Sequence, residues 1–309
     1  MIRAVTIQGD RIAEVDVKLI TVGKNNVWVD VVGPSIQELK EIHEKFNIPI
    51  SELQHCLDPE ERPRVKIDQG ITYIYYRGLV PEEKKGTVTI TFILTKKFII
   101  SIHKQKIAAI NDLDLSNDLL KTLFKESTEF LIYKILHALS KETNKVVDML
   151  ENEVDYVETE VMKRYSDHTL AHIHSLKKKI VYYRRACMAD RDVISVMVKE
   201  IATIKEKGLF AEIEVEVMQT IDTIELIKER LTSIVEIYVT NTSNRINTVM
   251  KSITLLATLL SFPILMTGLY GMNVALPLGE HPHAFWIITG LLILSVITTI
   301  IFFARKKWL

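Results

Sequence analysis

An α/β cytoplasmic domain, a long helical stalk and two C-terminal transmembrane helices are the fold this chain predicts, and three observations carry it. Two uncharged apolar runs lie near the C-terminus, short β-rich runs are confined to the N-terminal third, and between them Leu, Ile, Val, Glu and Lys recur at helical spacing. The resulting division is an α/β cytoplasmic domain over 1–115, a helical hairpin region over 116–210 and a stalk helix continuing into the first transmembrane helix over 211–269. An outside loop over 270–284, the second transmembrane helix over 285–303 and a basic cytoplasmic tail over 304–309 complete it.

The first element to justify is the N-terminus. Its opening MIRAVTIQGDRIAEVDV has no basic stretch followed by an apolar one, so no cleaved signal is expected. Val27 to Val32, Ile71 to Arg77, Thr87 to Thr95 and Phe98 to His103 are rich in β-branched and aromatic residues and read as strands. Between the first two lie helix starts at Ser35 and Ser51, and Ser35-Ile36-Gln37-Glu38 has the spacing of a capping box. The formal charge is zero, with 39 basic and 39 acidic residues, which points to no nucleic-acid partner. Cys56 and Cys187 stand far apart without CxxC spacing, which fits a reducing compartment and argues against a thiol-based zinc or redox site.

Beyond about Ser116 the strand signals stop. Glu126 to Arg164, His168 to Lys207 and Ala211 onward carry apolar residues at spacings of three and four, punctuated near Ser166-Asp167 and at Gly208. From Ala211 neither Pro nor Gly occurs until Gly268 except Pro263, so one helix is expected to enter the membrane, on the order of 85 Å long at about 1.5 Å per residue. It would couple the cytoplasmic part to the bilayer.

Ile253 to Leu269 and Phe285 to Phe303 contain no charged residue, and each is close to the roughly 20 residues that cross about 30 Å of hydrocarbon. Arg245 and Lys251 precede the first run, Arg305, Lys306 and Lys307 follow the second, and the connector Tyr270 to Ala284 holds no Lys or Arg. By the positive-inside rule both chain ends are cytoplasmic and the connector is outside.

Tyr270-Gly271-Met272-Asn273 opens that connector, where a polar tetrapeptide is a candidate ion mouth. Two helices leave no shielded interior in lipid, so a pore requires several copies around an axis. Asn247, Met250, Ile253, Ala257, Ser261, Ile264 and Gly268 follow at steps of three or four on one face of the first span. The stripe suits either a pore wall or helix packing through small residues. His172 and His174, two apart on a helix, make a poor ligand pair, and His281 and His283 beside Glu280 suit solvated loop residues, or a group that gathers cations. The acids Glu151, Glu153, Asp155, Glu158 and Glu160 suit a solvated helix face, or a sensor for cytosolic divalent ions.

The tetrapeptide, the span entered from a long helix, the second span after a short outside loop and the C-terminal Arg305-Lys306-Lys307-Trp308-Leu309 together resemble the CorA magnesium transporters. Leu57-Asp58-Pro59-Glu60-Glu61-Arg62-Pro63-Arg64 is similar to that family's LxDxxxRPR/K segment, so the resemblance covers most of the chain. It implies a homopentameric funnel in the plasma (inner) membrane whose stalk helices continue as an inner transmembrane ring. It also implies Mg2+ as substrate and as a regulatory ligand that closes the path from the cytosol, with no organic cofactor and no enzymatic activity. Gly271, Met272 and Asn273 then form the outer selectivity ring, and Asn247, Met250, Ile253 and Gly268 fall on inner pore positions. Ile264 stands where a hydroxyl is common in the family, Ser261 where Met is common, and Pro263 is displaced by one residue. Ungapped counting puts a regulatory acid on Glu212, beside Glu214 and Glu216.

The chemistry agrees with the resemblance. Mg2+ sheds its waters reluctantly, so a fast path binds the hydrated ion through neutral oxygens, which a ring of Asn273 carboxamides supplies. Apolar rings at Met250 and Ile253 gate by dewetting. A divalent ion gains about 4.6 kcal/mol moving inward through 100 mV, twice the figure for one charge, and the chain shows no GxxxxGK[ST] loop. A Zn2+ or Co2+ transporter of the same architecture, and a membrane-anchored helical sensor or scaffold, are the alternatives.

Overall fold

The computed structural model describes residues 2–8, 11–20, 26–80, 86–111, 113, 128–163, 167–200, 207–279 and 281–306. Met1–Ile234 and Val235–Leu309 form two separate compact units. In the first, strands β1 (Ile2–Gln8), β2 (Arg11–Val15), β3 (Val27–Val32), β4 (Arg64–Asp68), β5 (Ile71–Leu79), β6 (Thr87–Leu94) and β7 (Phe98–His103) make one sheet. Its order is β2-β1-β3-β7-β6-β5-β4, and β3 with β7 is its parallel pair, Val29 opposite Ile100; the other neighbours run antiparallel.

Helix α1 (Ile36–Phe46) starts at a capping box: the Ser35 hydroxyl accepts from Glu38 N–H, and the Glu38 carboxylate accepts from Ser35 N–H at 2.8 Å. Those bonds hold the Glu38 carboxyl below the usual carboxylate range. Helix α2 (Ile50–His55) is capped at Pro49, so Ser51 lies inside it rather than before it. Leu39, Ile42, Phe46 and Leu53 of α1 and α2 bury against Val29, Val31, Tyr73, Tyr75, Ile93, Ile100 and Ile102 of the sheet. Each such aliphatic side chain stabilises the domain by about 1.5–3 kcal/mol when withdrawn from water. Helices α4 (Thr128–Lys163) and α5 (Asp167–Glu200), which follow the short α3 (Ala108–Asn111), pack on β4 to β7. Strands covered on both faces need apolar side chains on both, which is why β6 and β7 read as continuous runs instead of alternating ones.

A bonded polar group is buried on the opposite face of the sheet from α1 and α2. Trp28 Nε1–H donates to Ser101 Oγ at 3.0 Å, the Ser101 hydroxyl donates to Asp30 Oδ1 at 2.5 Å, and His103 Nε2 lies 2.9 Å from the same oxygen. All four residues are buried and mutually bonded, which offsets the desolvation of their polar atoms.

A second buried acid has a different environment. Asp190 of α5, 4 % exposed, accepts the Arg77 backbone N–H at 2.8 Å. The register explains the donor: β4 begins opposite Tyr75, so Arg77 has no partner strand on that side. Burial raises the Asp190 carboxyl well above the usual range, with the Arg77 bond and charge opposing. A raised folded pKa favours folding fully below the unfolded value of about 3.9, and that advantage is lost as pH rises through the folded value. Asp190→Asn keeps a carbonyl for the Arg77 N–H and removes the titration. It is expected to raise stability by about 1–3 kcal/mol at pH 8 and to leave it unchanged at pH 4. Thermal unfolding in detergent at both pH values checks this, and equal midpoints at pH 8 would refute the raised Asp190 carboxyl.

Helix α6 runs without interruption through Lys207–Tyr270, with Gly208 in its first turn and Pro263 inside it. In the second unit its apolar stretch and helix α7 (Ala284–Arg305) are both long and apolar enough to cross a membrane. The apolar window of α6 has no buried residue, so lipid or another copy must cover these side chains.

Candidate functional site

The C-terminal end of α6 is built by its own backbone. Gly271 N–H donates to Thr267 O at 2.9 Å and Met272 N–H to Leu269 O at 3.2 Å, which closes the helix at the tripeptide. A Cβ at Gly271 would stand 3.1 Å from the Thr267 carbonyl oxygen, so glycine permits this tight exit. Met272 and Asn273 follow as exposed residues, and among the described residues no partner takes the Asn273 carboxamide. The Tyr270 hydroxyl donates to Pro277 O at 3.1 Å, joining the two sides of the segment that holds Asn273. His281 Nδ1 accepts the His283 N–H at 3.2 Å, so its lone pair on that nitrogen is committed to the turn entering α7. Glu280 lies outside the described residues.

Met250, Ile253 and Ile264 are each more than half exposed, and Asn247, Ala257, Ser261 and Gly268 are exposed with them. Hydroxyls on this helix are turned back on the ladder: Thr258 donates to Thr254 O at 2.8 Å, Ser261 to Ala257 O at 2.7 Å and Thr267 to Pro263 O at 2.9 Å. In hydrocarbon that satisfies each hydroxyl without a neighbour. Ser261 therefore presents acceptor lone pairs on its stripe, its proton being used.

In the first unit the acid run of α4 is neither solvated throughout nor free. Arg230 of α6 bonds Asp155 at 2.6 Å, Glu158 at 2.9 Å and Glu151 at 3.4 Å, while Lys179 of α5 bonds Glu153 at 2.8 Å. These contacts tie the three helices together, and the carboxylates in turn raise the Arg230 guanidinium above its ordinary value. Arg230 was not among the sequence-derived candidates, because its partners are 72 to 79 residues away. Glu212 is exposed, and with Glu216 it adds to burial in raising the Tyr133 hydroxyl. Glu216 accepts from Asn144 Nδ2 at 3.3 Å beside a cleft of about 290 Å3 lined by Asn144, Val147, Asp148, Gln219, Thr220 and Thr223. Among the described residues no three His, Cys, Asp or Glu side chains are grouped to hold a metal ion.

The Leu57 to Arg64 segment is a structural clasp. Arg77 Nη2 donates to Glu61 O at 2.8 Å and Pro59 O at 3.1 Å, Glu61 binds Arg64, and the Arg64 guanidinium lies 4.5 Å from the Tyr75 ring centre.

The family described as CorA-like Mg2+ transporter protein matches this chain over residues 23–306. The cobalt/magnesium transport protein CorA of Methanocaldococcus jannaschii is 29% identical over 289 residues, 92% of this chain and 91% of that protein. The cobalt/magnesium transport protein CorA of Thermotoga maritima is 22% identical over 295 residues, 91% of this chain and 83% of that protein. A structure titled the complete structure of CorA magnesium transporter from Methanocaldococcus jannaschii superposes with a TM-score of 0.89 at 28% identity, covering 100% of this chain and 99% of that one.

Proposed function

Because the chain belongs to the CorA-like Mg2+ transporter protein family, we propose that it conducts Mg2+, and Co2+ with it, into the cytoplasm down the electrochemical gradient. It is a membrane transporter and not an enzyme. The observation that carries the reading is that the match at residues 23–306 spans strands β3 to β7 of the sheet and the two exposed apolar helices. A homopentamer is the assembly we infer: copies placed around an axis cover the apolar flanks of α6 and enclose a path that one chain cannot. Within it Gly271, Met272 and Asn273 form the outer mouth and Met250 and Ile253 the constriction, in an inner membrane with both termini cytoplasmic. Purified protein in liposomes loaded with a Mg2+-sensitive dye, with an inside-negative potential imposed, is expected to show uptake that Co2+ competes for. Uptake equal to that of empty liposomes would overturn the reading.

Closure by cytosolic Mg2+ rests on the exposed Glu212 at the start of α6, a helix unbroken into the membrane. Acids brought together between copies repel when the ion leaves, so Mg2+ favours the closed assembly by mass action. Glu212→Gln is expected to raise the internal Mg2+ needed for closure by about tenfold and to weaken Mg2+ protection against protease in parallel. Unchanged closure and protection would remove Glu212 from the sensor and leave conduction untouched.

A further inference from the structure

The loop leaving α6 is held mainly by local backbone bonds: Gly271 to Thr267, Met272 to Leu269, Gly279 to Leu276 and His281 to Leu278 each span three or four residues. Among the described residues, the Tyr270 hydroxyl to Pro277 carbonyl bond, 3.1 Å long and seven residues apart, is the one that joins the start of this loop to its far side. It closes residues 271–276 into a ring, and Asn273 sits within that ring with no side-chain partner among the described residues. A carboxamide with no bond of its own takes its position from the backbone that carries it. We propose that Tyr270 is a positioning residue for the ion mouth: its hydroxyl, through Pro277, fixes the loop that presents Asn273 to the hydrated cation. The aromatic ring supplies reach and the hydroxyl supplies the tie. The inference rests on the proposed placement of Asn273 at the mouth.

The test uses the full chain in liposomes and Tyr270→Phe, which removes one oxygen and keeps the ring. Val274→Cys in the parent and in Tyr270→Phe takes a nitroxide spin label on an exposed loop position, since Val274 is 57% exposed while Cys56 and Cys187 are both buried. Losing one neutral hydrogen bond shifts a local opening equilibrium by about fivefold. The mobile fraction of the label should therefore rise about fivefold in the Phe background, and the KM for Mg2+ should rise about fivefold with the maximal rate within twofold. Genetic incorporation of 4-aminophenylalanine at position 270, which restores a donor on the same ring, should return both quantities to parental values. A purely structural role for the ring would show no such rescue. A parental label spectrum or parental KM in Tyr270→Phe overturns the proposal. Asn273→Ala separates the premise: parental uptake in that variant overturns the mouth assignment and the positioning role with it. Defective Asn273→Ala beside normal Tyr270→Phe overturns the positioning role alone.

Discussion

Asn273→Ala is expected to lower Mg2+ uptake by on the order of 50- to 100-fold while leaving the oligomer intact. The side chain is exposed and makes no contact with the core of either unit, so its removal leaves no cavity. On the proposed reading the substitution removes an oxygen that bonds the water shell of the ion, in every copy of the pentamer at once. At ~0.5 kcal/mol per copy, the low end for a neutral hydrogen bond, five copies lose about 2.5 kcal/mol. A carboxylate in its place would hold a divalent ion longer, so Asn273→Asp should bind Mg2+ more strongly and release it more slowly. Flux into dye-loaded liposomes, with size-exclusion chromatography to check assembly, decides the matter. Parental rates in Asn273→Ala would refute the selectivity assignment.

Ile253→Asp is expected to produce the second large effect, a path that stays open when internal Mg2+ is high. Ile253 is 56% exposed on an exposed helix face, so a carboxylate there meets no core neighbour. In a ring of such helices, isoleucine side chains expel water and the dry constriction stops ions, whereas carboxylates keep water between them. Uptake at saturating internal Mg2+ at least tenfold above the closed parent is the expected result, with Met250→Asp behaving likewise. A variant that still closes would place the constriction elsewhere.

The helices and the buried strands were legible because each follows from periodicity and from burial on both faces. Val27–Val32 and Phe98–His103 have the ends that their apolar runs suggest, and Ser35 caps α1 through the spacing to Glu38. Strands β1, β2 and β4 were not assigned. The reason is clearest at β4, Arg64–Asp68, an edge strand whose charged heads find partners across the fold: Lys66 Nζ bonds Glu52 at 2.8 Å and lies 5.8 Å from the Tyr73 ring centre. Composition counts such residues as polar and gives no strand signal, while their partners lie on other elements. The Asp30, Ser101 and His103 group was also unseen, since the pairing of β3 with β7 across some 70 residues is what unites it. At the mouth the tetrapeptide stood out by composition, but the partner of Tyr270 depends on how the loop returns. The acid run of α4 could not disclose Arg230 for the same reason.

Pro263 has a consequence for how such a chain can diversify. With no N–H, proline leaves the Leu259 carbonyl without its rung four residues on, in the middle of an apolar span. The ladder is therefore divided into an inner segment bearing Met250 and Ile253 and an outer one bearing Gly268 and the loop. Amide hydrogens just beyond this fault should exchange with solvent deuterium sooner than those before it. The outer turns can then be re-angled without unwinding the inner ones, so on the proposed assignment of mouth and constriction, ion choice and closure become separately adjustable traits. A lineage could move the proline by one residue, or exchange Ser261, and retune the cation it admits while keeping its means of shutting.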